Sequence, residues 1–203
     1  MNFSSFKLRR EAKTGIVLAL AIVVLYAVGY FFVTKSFVPD RFIEARQQGA
    51  AVGKEIVVMT EESLATLDLI AKEDKNFRFQ RALDIVQSEL EHSKKARVKA
   101  IELTQALDDM ARSAAEIKPT KARNLAMDAV RQEVGLITRL IVYNDLLNTL
   151  LQTLEFKFSG DIRYDAEDVQ LTIKNMNTEA REVNNLNNLF NEKMREFDSL
   201  LNL

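Results

Sequence analysis

Residues 165–201 read DAEDVQLTIKNMNTEAREVNNLNNLFNEKMREFDSLL. Val169, Ile173, Met176, Ala180, Val183, Asn187, Phe190, Met194, Phe197 and Leu201 fall at alternating steps of four and three, so they form one seam of a coiled-coil-type helix. Asp165 is placed to cap that helix with Asp168 at its third position, after a stop at Ser159-Gly160-Asp161. Asn187 falls on the seam, and two readings stand. Either its amide sets register in the core, or Leu186 rotates inward and Asn187 joins the margin of a polar cluster with Asn184, Asn185, Asn188 and Asn191.

Working back from this helix, the chain is interrupted in few places. The only prolines are Pro39 and Pro119, and the breaks fall at 36–40, 72–76, 118–120 and 159–165. The segments between them keep a helical period and carry no run of β-branched alternation, which predicts helices over about 41–73, 77–117, 119–158 and 165–201. Four helices of similar length joined by short loops imply an all-α, up-down-up-down antiparallel four-helix bundle.

The first of these follows Pro39 with the stripe Phe42, Ala45, Gly49, Val52, Ile56 and Met59, then Leu64, Leu67 and Ile70 as ordinary core. Ala45, Gly49 and Gly53 make the near half small, suited either to a close crossing or to bulky residues from a neighbour. The second is expected to be capped by Asn76. Phe79, Leu83, Val86 and Leu90 face one way, Leu103, Leu107, Met110 and Ala114 continue the seam, and the charged middle 93–99 reads as a solvated face, with Glu91–Lys95 and Asp108–Arg112 spaced to pair. The third has the densest apolar content, from Val134 to Phe158, over more than half its circumference. Arg139, Asn144, Asp145, Asn148, Gln152 and Glu155 interrupt it and argue against a membrane span. Its width makes it either the most buried helix or partly an interface.

Upstream, residues 15–33 read GIVLALAIVVLYAVGYFFV without a charge. About 20 apolar residues at about 1.5 Å each cross a hydrocarbon core of about 30 Å, so the bilayer is the expected partner of 15–33. The expected organisation is a short basic cytoplasmic tail over 1–14, an uncleaved signal-anchor over 15–35, a Pro-containing hinge over 36–40, and an extracytoplasmic bundle over 41–203. Lys7, Arg9, Arg10 and Lys13 against Glu11 set the N-terminus inside the cell. The C-terminus should lie near the outer membrane surface. A cleaved signal peptide ending near Ala27-Val28-Gly29 is the rival reading.

Beyond Lys35 the chain has 23 basic and 28 acidic side chains with the signs interspersed, which argues against nucleic acid as a partner. Without cysteine there is no disulfide, iron–sulfur cluster or thiol catalysis. Glu89-Leu90-Glu91-His92 has the Glu-x-x-His spacing of carboxylate-bridged di-metal bundles, which need it twice; His92 is the only histidine. It also leaves no partner for a serine triad, no glycine-rich phosphate loop follows a strand, and Asp108-Asp109 and Glu61-Glu62, being adjacent on helices, point apart. No catalytic, cofactor-binding or metal residue is assigned, and no enzymatic activity is expected.

In outline, long extracytoplasmic four-helix bundles resemble the sensory domains of bacterial chemoreceptors and sensor kinases. Those lead to a second span and an output domain, neither of which is expected from the reading of residues 36–203. The expected function is a non-enzymatic, single-pass, membrane-anchored interaction or scaffold module with a protein partner or self-association. The alternative is a small-ligand-sensing bundle that biases a partner membrane protein, suggested by Gly49, Gly53 and Asn187.

Overall fold

A computed structural model describes residues 36–202. The expected membrane span over 15–33, its basic tail and the cleavage alternative lie outside the described residues. Four helices make up the rest: α1 Asp40–Lys75, α2 Phe79–Ala114, α3 Thr120–Ser159 and α4 Ala166–Leu201. Each end lies within three residues of the position expected from the breaks in hydrophobic period.

The punctuation follows local chemistry. Pro39 and Pro119 precede α1 and α3 in extended conformation, where the missing N–H costs nothing. Asp165 caps α4, its carboxylate accepting from the Glu167 N–H at 2.8 Å. Gly160 ends α3 at φ 73°, a left-handed conformation that opposes a Cβ. We predict that Gly160→Ala lowers stability by about 1 kcal/mol, measured by urea denaturation of the full chain in detergent. Asn76 does not cap α2. It closes α1, the chain turns through Phe77 at φ 58°, and Arg78 precedes α2 without a side-chain cap. Glu73, almost wholly buried, holds this turn together, with Arg78 Nε at 2.7 Å and Arg81 Nε at 4.0 Å.

Polar side-chain pairs between helices show their direction. Glu55 meets Lys99 and Glu62 meets His92, so seven residues forward on α1 match seven backward on α2. On α2 and α3, Gln87 meets Glu155 and Arg97 meets Asp145, ten residues in opposite senses. On α3 and α4, Gly135 faces Leu186 and Arg139 meets Glu179, again in opposite senses, so consecutive helices are antiparallel neighbours. The core has two parts. One, at the end where α1 begins, gathers Phe42, Leu107, Met110, Ile117, Val130 and Phe197; the other, at the far end, gathers Ile70, Val86, Leu151 and Met176.

Several seams differ from the sequence expectation. On α2, Ala82, Val86, Glu89 and Ser93 are buried, whereas Phe79 is 43% exposed and Leu83 and Leu90 sit at the flanks. Small side chains occupy the line of closest helix approach and the large ones wrap beside it. The middle of α2 is accordingly not solvated all round. Ser93 is fully buried, and Asn144 of α3 donates to both its hydroxyl (3.0 Å) and its carbonyl (3.1 Å). Asn144→Ala is expected to cost about 1–2 kcal/mol, read from the urea midpoint against Asn148→Ala. Glu91 pairs with Lys94 rather than Lys95, while Asp108 and Arg112 pair at 2.8 Å as expected. On α1, Ser63 takes the buried place between Ile56 and Ile70, and Leu64 turns out to 50% exposure.

On α4 the Asn187 question resolves toward its neighbour. Asn187 is exposed and accepts from Asn191 Nδ2 at 3.2 Å, while Leu186 packs toward Gly135 of α3. The seam against α3 runs through Thr172, Met176, Val183, Leu186 and Phe190, so Ile173 and Asn187 belong to a second face.

Candidate functional site

The second face of α4 looks across to α1, and there the bundle is not sealed. Each of the pairs α1–α2, α2–α3 and α3–α4 packs closely, but no Cα of α1 comes within 8 Å of one of α4. The opening holds two adjoining cavities of about 840 and 520 Å³, both lined by Thr60, Leu140, Val183 and Asn184. Together they form a groove along α1 from about Gly49 to Asp74, roughly 37 Å at 1.5 Å per residue.

Its floor is mainly α3, with Leu136, Leu140, Tyr143, Leu150 and Leu154. Part of the wide apolar arc of that helix is thereby accounted for: α3 packs on both α2 and α4 and floors the groove, while Val134 and Val142 stay exposed and line neither cavity. Among the described residues α3 alone is long and apolar enough to cross a membrane, with a third of its most apolar window buried inside the bundle.

The groove is pinned at its α1-start end. Phe42 and Phe197, both fully buried, meet with ring centroids 5.4 Å apart, and the Arg46 guanidinium donates two parallel hydrogen bonds to Asp198 at 2.7 and 2.8 Å. At the other end Lys157 pairs with Asp74 beneath Tyr164. Between these ends the wall of α1 presents Gly53, Val57, Thr60 and Leu64, and that of α4 presents Ile173, Ala180, Asn184 and Asn187. Val57, Leu64 and Ile173 are each about half exposed at the rim.

The small-residue stripe divides in two. A Cβ on Gly49 would make ordinary contact with Leu103 and Ala106 of α2, so that position packs on α2; a Cβ on Gly53 would meet nothing within 4 Å. Gly53 and Asn187, noted separately in the sequence, thus line the same cavity.

The electrostatics of the groove are one-sided. Glu133 rises from the floor, half-buried and without an ion-pair partner among the described residues. Burial pushes its carboxyl up from 4.5 to about 7. Sequence reasoning did not single out Glu133; the available signal was a carboxylate between Val130 and Ile137, immediately before the widest apolar arc of the chain. Glu61 and Asp68 line the α1 wall, also without an ion-pair partner, whereas the two bases in the lining, Arg46 and Lys157, are paired.

The Glu-x-x-His motif lies elsewhere. Glu89 is buried with one oxygen unpartnered, and His92 sits 3.7 Å from Glu62 and 3.3 Å from the Met59 carbonyl. No group of three metal-ligating side chains occurs among the described residues. Glu61 faces the groove and Glu62 faces α2, so that carboxylate pair points apart. No protein family, curated protein or solved structure matches the chain.

Proposed function

We propose that this protein is a non-enzymatic, membrane-anchored interaction module whose helical bundle is displayed outside the cytoplasm and receives a protein partner along the α1/α4 groove. The observation that carries the reading is the groove itself: three seams of the bundle are closed and the fourth is an apolar trough with half-exposed Val57, Leu64 and Ile173 at its edge. Apolar surface gathered in one concave strip is the usual mark of a binding site. The uncharged run over 15–33 and its basic flank support the anchor and its orientation.

Two measurements on the full chain in cells test this. A photoreactive side chain at Ile173 should give a discrete protein adduct that the same group at Arg181, on the exposed face of α4, does not give. Identical patterns from both sites would sink the interaction reading. Ser199→Cys introduces the only thiol, at an exposed position. Its labelling by a membrane-impermeant maleimide before inner-membrane lysis is the expected result, and labelling only after lysis would reverse the orientation.

A second reading, a bundle that senses a small ligand, draws on the empty space beside Gly53 and the amides of Asn184 and Asn187 in the same cavity. A small molecule that raises the melting temperature of the wild type but not of Gly53→Leu would favour it, since ligand bound to the native state alone must stabilise it.

A further inference from the structure

We infer that the occupant of the α1/α4 groove is an amphipathic helix of another protein, about 20 to 25 residues long, with an apolar stripe and basic residues flanking it at heptad spacing. This rests on the interaction reading above and specifies its partner.

Length is the first consideration. A groove of roughly 37 Å accommodates about seven turns of helix, and its floor of Leu136, Leu140, Leu150 and Leu154 supplies the apolar bed such a helix needs. The rims add a repeat. Glu61 and Asp68 on the α1 side are seven residues apart, as are Asn177, Asn184 and Asn191 on the α4 side. A helix lying between them would present flanking side chains at the same interval and meet an acid on one edge and an amide on the other.

Charge fixes the sign. Glu61, Asp68 and Glu133 are carboxylates without ion-pair partners among the described residues, and the groove lining holds no unpaired base. Lys54, one heptad before Glu61, is exposed but does not line the groove. Lysine or arginine on the incoming helix would pair with the rim acids and reach Glu133. A second copy of this chain is disfavoured by the same balance, since its residues beyond Lys35 are net acidic. A lipid chain has no use for rims that repeat every seven residues.

The test uses the full chain in phosphatidylcholine nanodiscs and two fluorescein-labelled 24-residue probes. Each carries leucine at two heptad positions, one with lysine and the other with glutamate at the flanking positions, and empty nanodiscs give the baseline. In fluorescence anisotropy the lysine probe should bind at least about tenfold more tightly than the glutamate probe. Reversing both rim acids, Glu61→Lys with Asp68→Lys, should invert that preference. Gly53→Leu, which builds into empty space, should weaken the lysine probe about tenfold while circular dichroism shows an intact bundle.

Equal affinity for the two probes, or a preference that survives the charge reversal, would overturn the proposal. So would a native mass spectrum showing a retained phospholipid that Gly53→Leu expels, because that would assign the groove to an acyl chain. The Ile173 adduct is scored separately: with the adduct present and no lysine preference, the helix proposal fails and the interaction module stands.

Discussion

Phe197→Ala is expected to lower the unfolding free energy by about 3–5 kcal/mol, the largest effect of any single side chain in α4. The ring is fully buried in the core at the α1-start end and touches Phe42, also fully buried, across the one open seam of the bundle. Truncating a buried phenylalanine loses its transfer free energy and leaves a cavity. Here it also removes the apolar half of the clasp that holds α4 to α1, leaving the Arg46–Asp198 pair, about a third exposed, to bear the load. Urea denaturation of the full chain in detergent, followed by circular dichroism, reads the loss. Ile173→Ala is the comparison: at 44% exposure on the groove wall it should cost less than about 1 kcal/mol. Equal costs at the two positions would mean that the seam closes in solution and that no groove persists.

Glu133 sets the second large effect, and its sign follows from the direction of the shift. The folded carboxyl titrates at about 7 and the unfolded one near 4.5, the rise being due to burial. Below about pH 4.5 both states hold the proton and no penalty exists. Between there and pH 7 the unfolded chain has lost its proton while the folded chain keeps it, so stability falls as pH rises, at up to about 1.4 kcal/mol per unit. Above pH 7 the folded state bears the full cost of a charge in an apolar floor, discounted to about 2 kcal/mol because solvent reaches a half-buried side chain. Glu133→Gln should therefore stabilise the protein by about that amount at pH 8 and by almost nothing at pH 4. A difference that does not change between the two pH values would show that the carboxyl is solvated.

The helices and their antiparallel order were legible, and most ends carry a local cause: a proline before α1 and α3, an aspartate capping α4, a glycine at the left-handed stop of α3; α2, which has no side-chain cap, was placed less well at both ends. Seam register was less legible. Reading hydrophobicity along a stripe rewards large side chains, whereas close helix approach selects small ones, so Ala82 and Ser93 displaced Phe79 and Leu90 on α2. On α4 the four-three spacing ran through Asn187 because that helix has two faces, one against α3 through Leu186 and one on the groove. The groove was visible only in fragments, as Gly53, as Asn187 and as the wide arc of α3. A sequence states which residues share a face and not whether a neighbour arrives to cover it.

Phe37 and Lys118 exchange two backbone hydrogen bonds, at 3.1 and 2.9 Å, and so tie the strand of chain entering α1 to the turn between α2 and α3. Leu200 and Leu201, at the end of α4, pack in the same part of the core as Ile117 of that turn and Ala122 at the start of α3. A pull or a twist arriving from upstream of Ser36 is therefore divided at once between both helical hairpins, with the two hydrogen bonds acting as a cross-tie. Torque on the incoming segment would thus load the base of both hairpins together and not α1 alone.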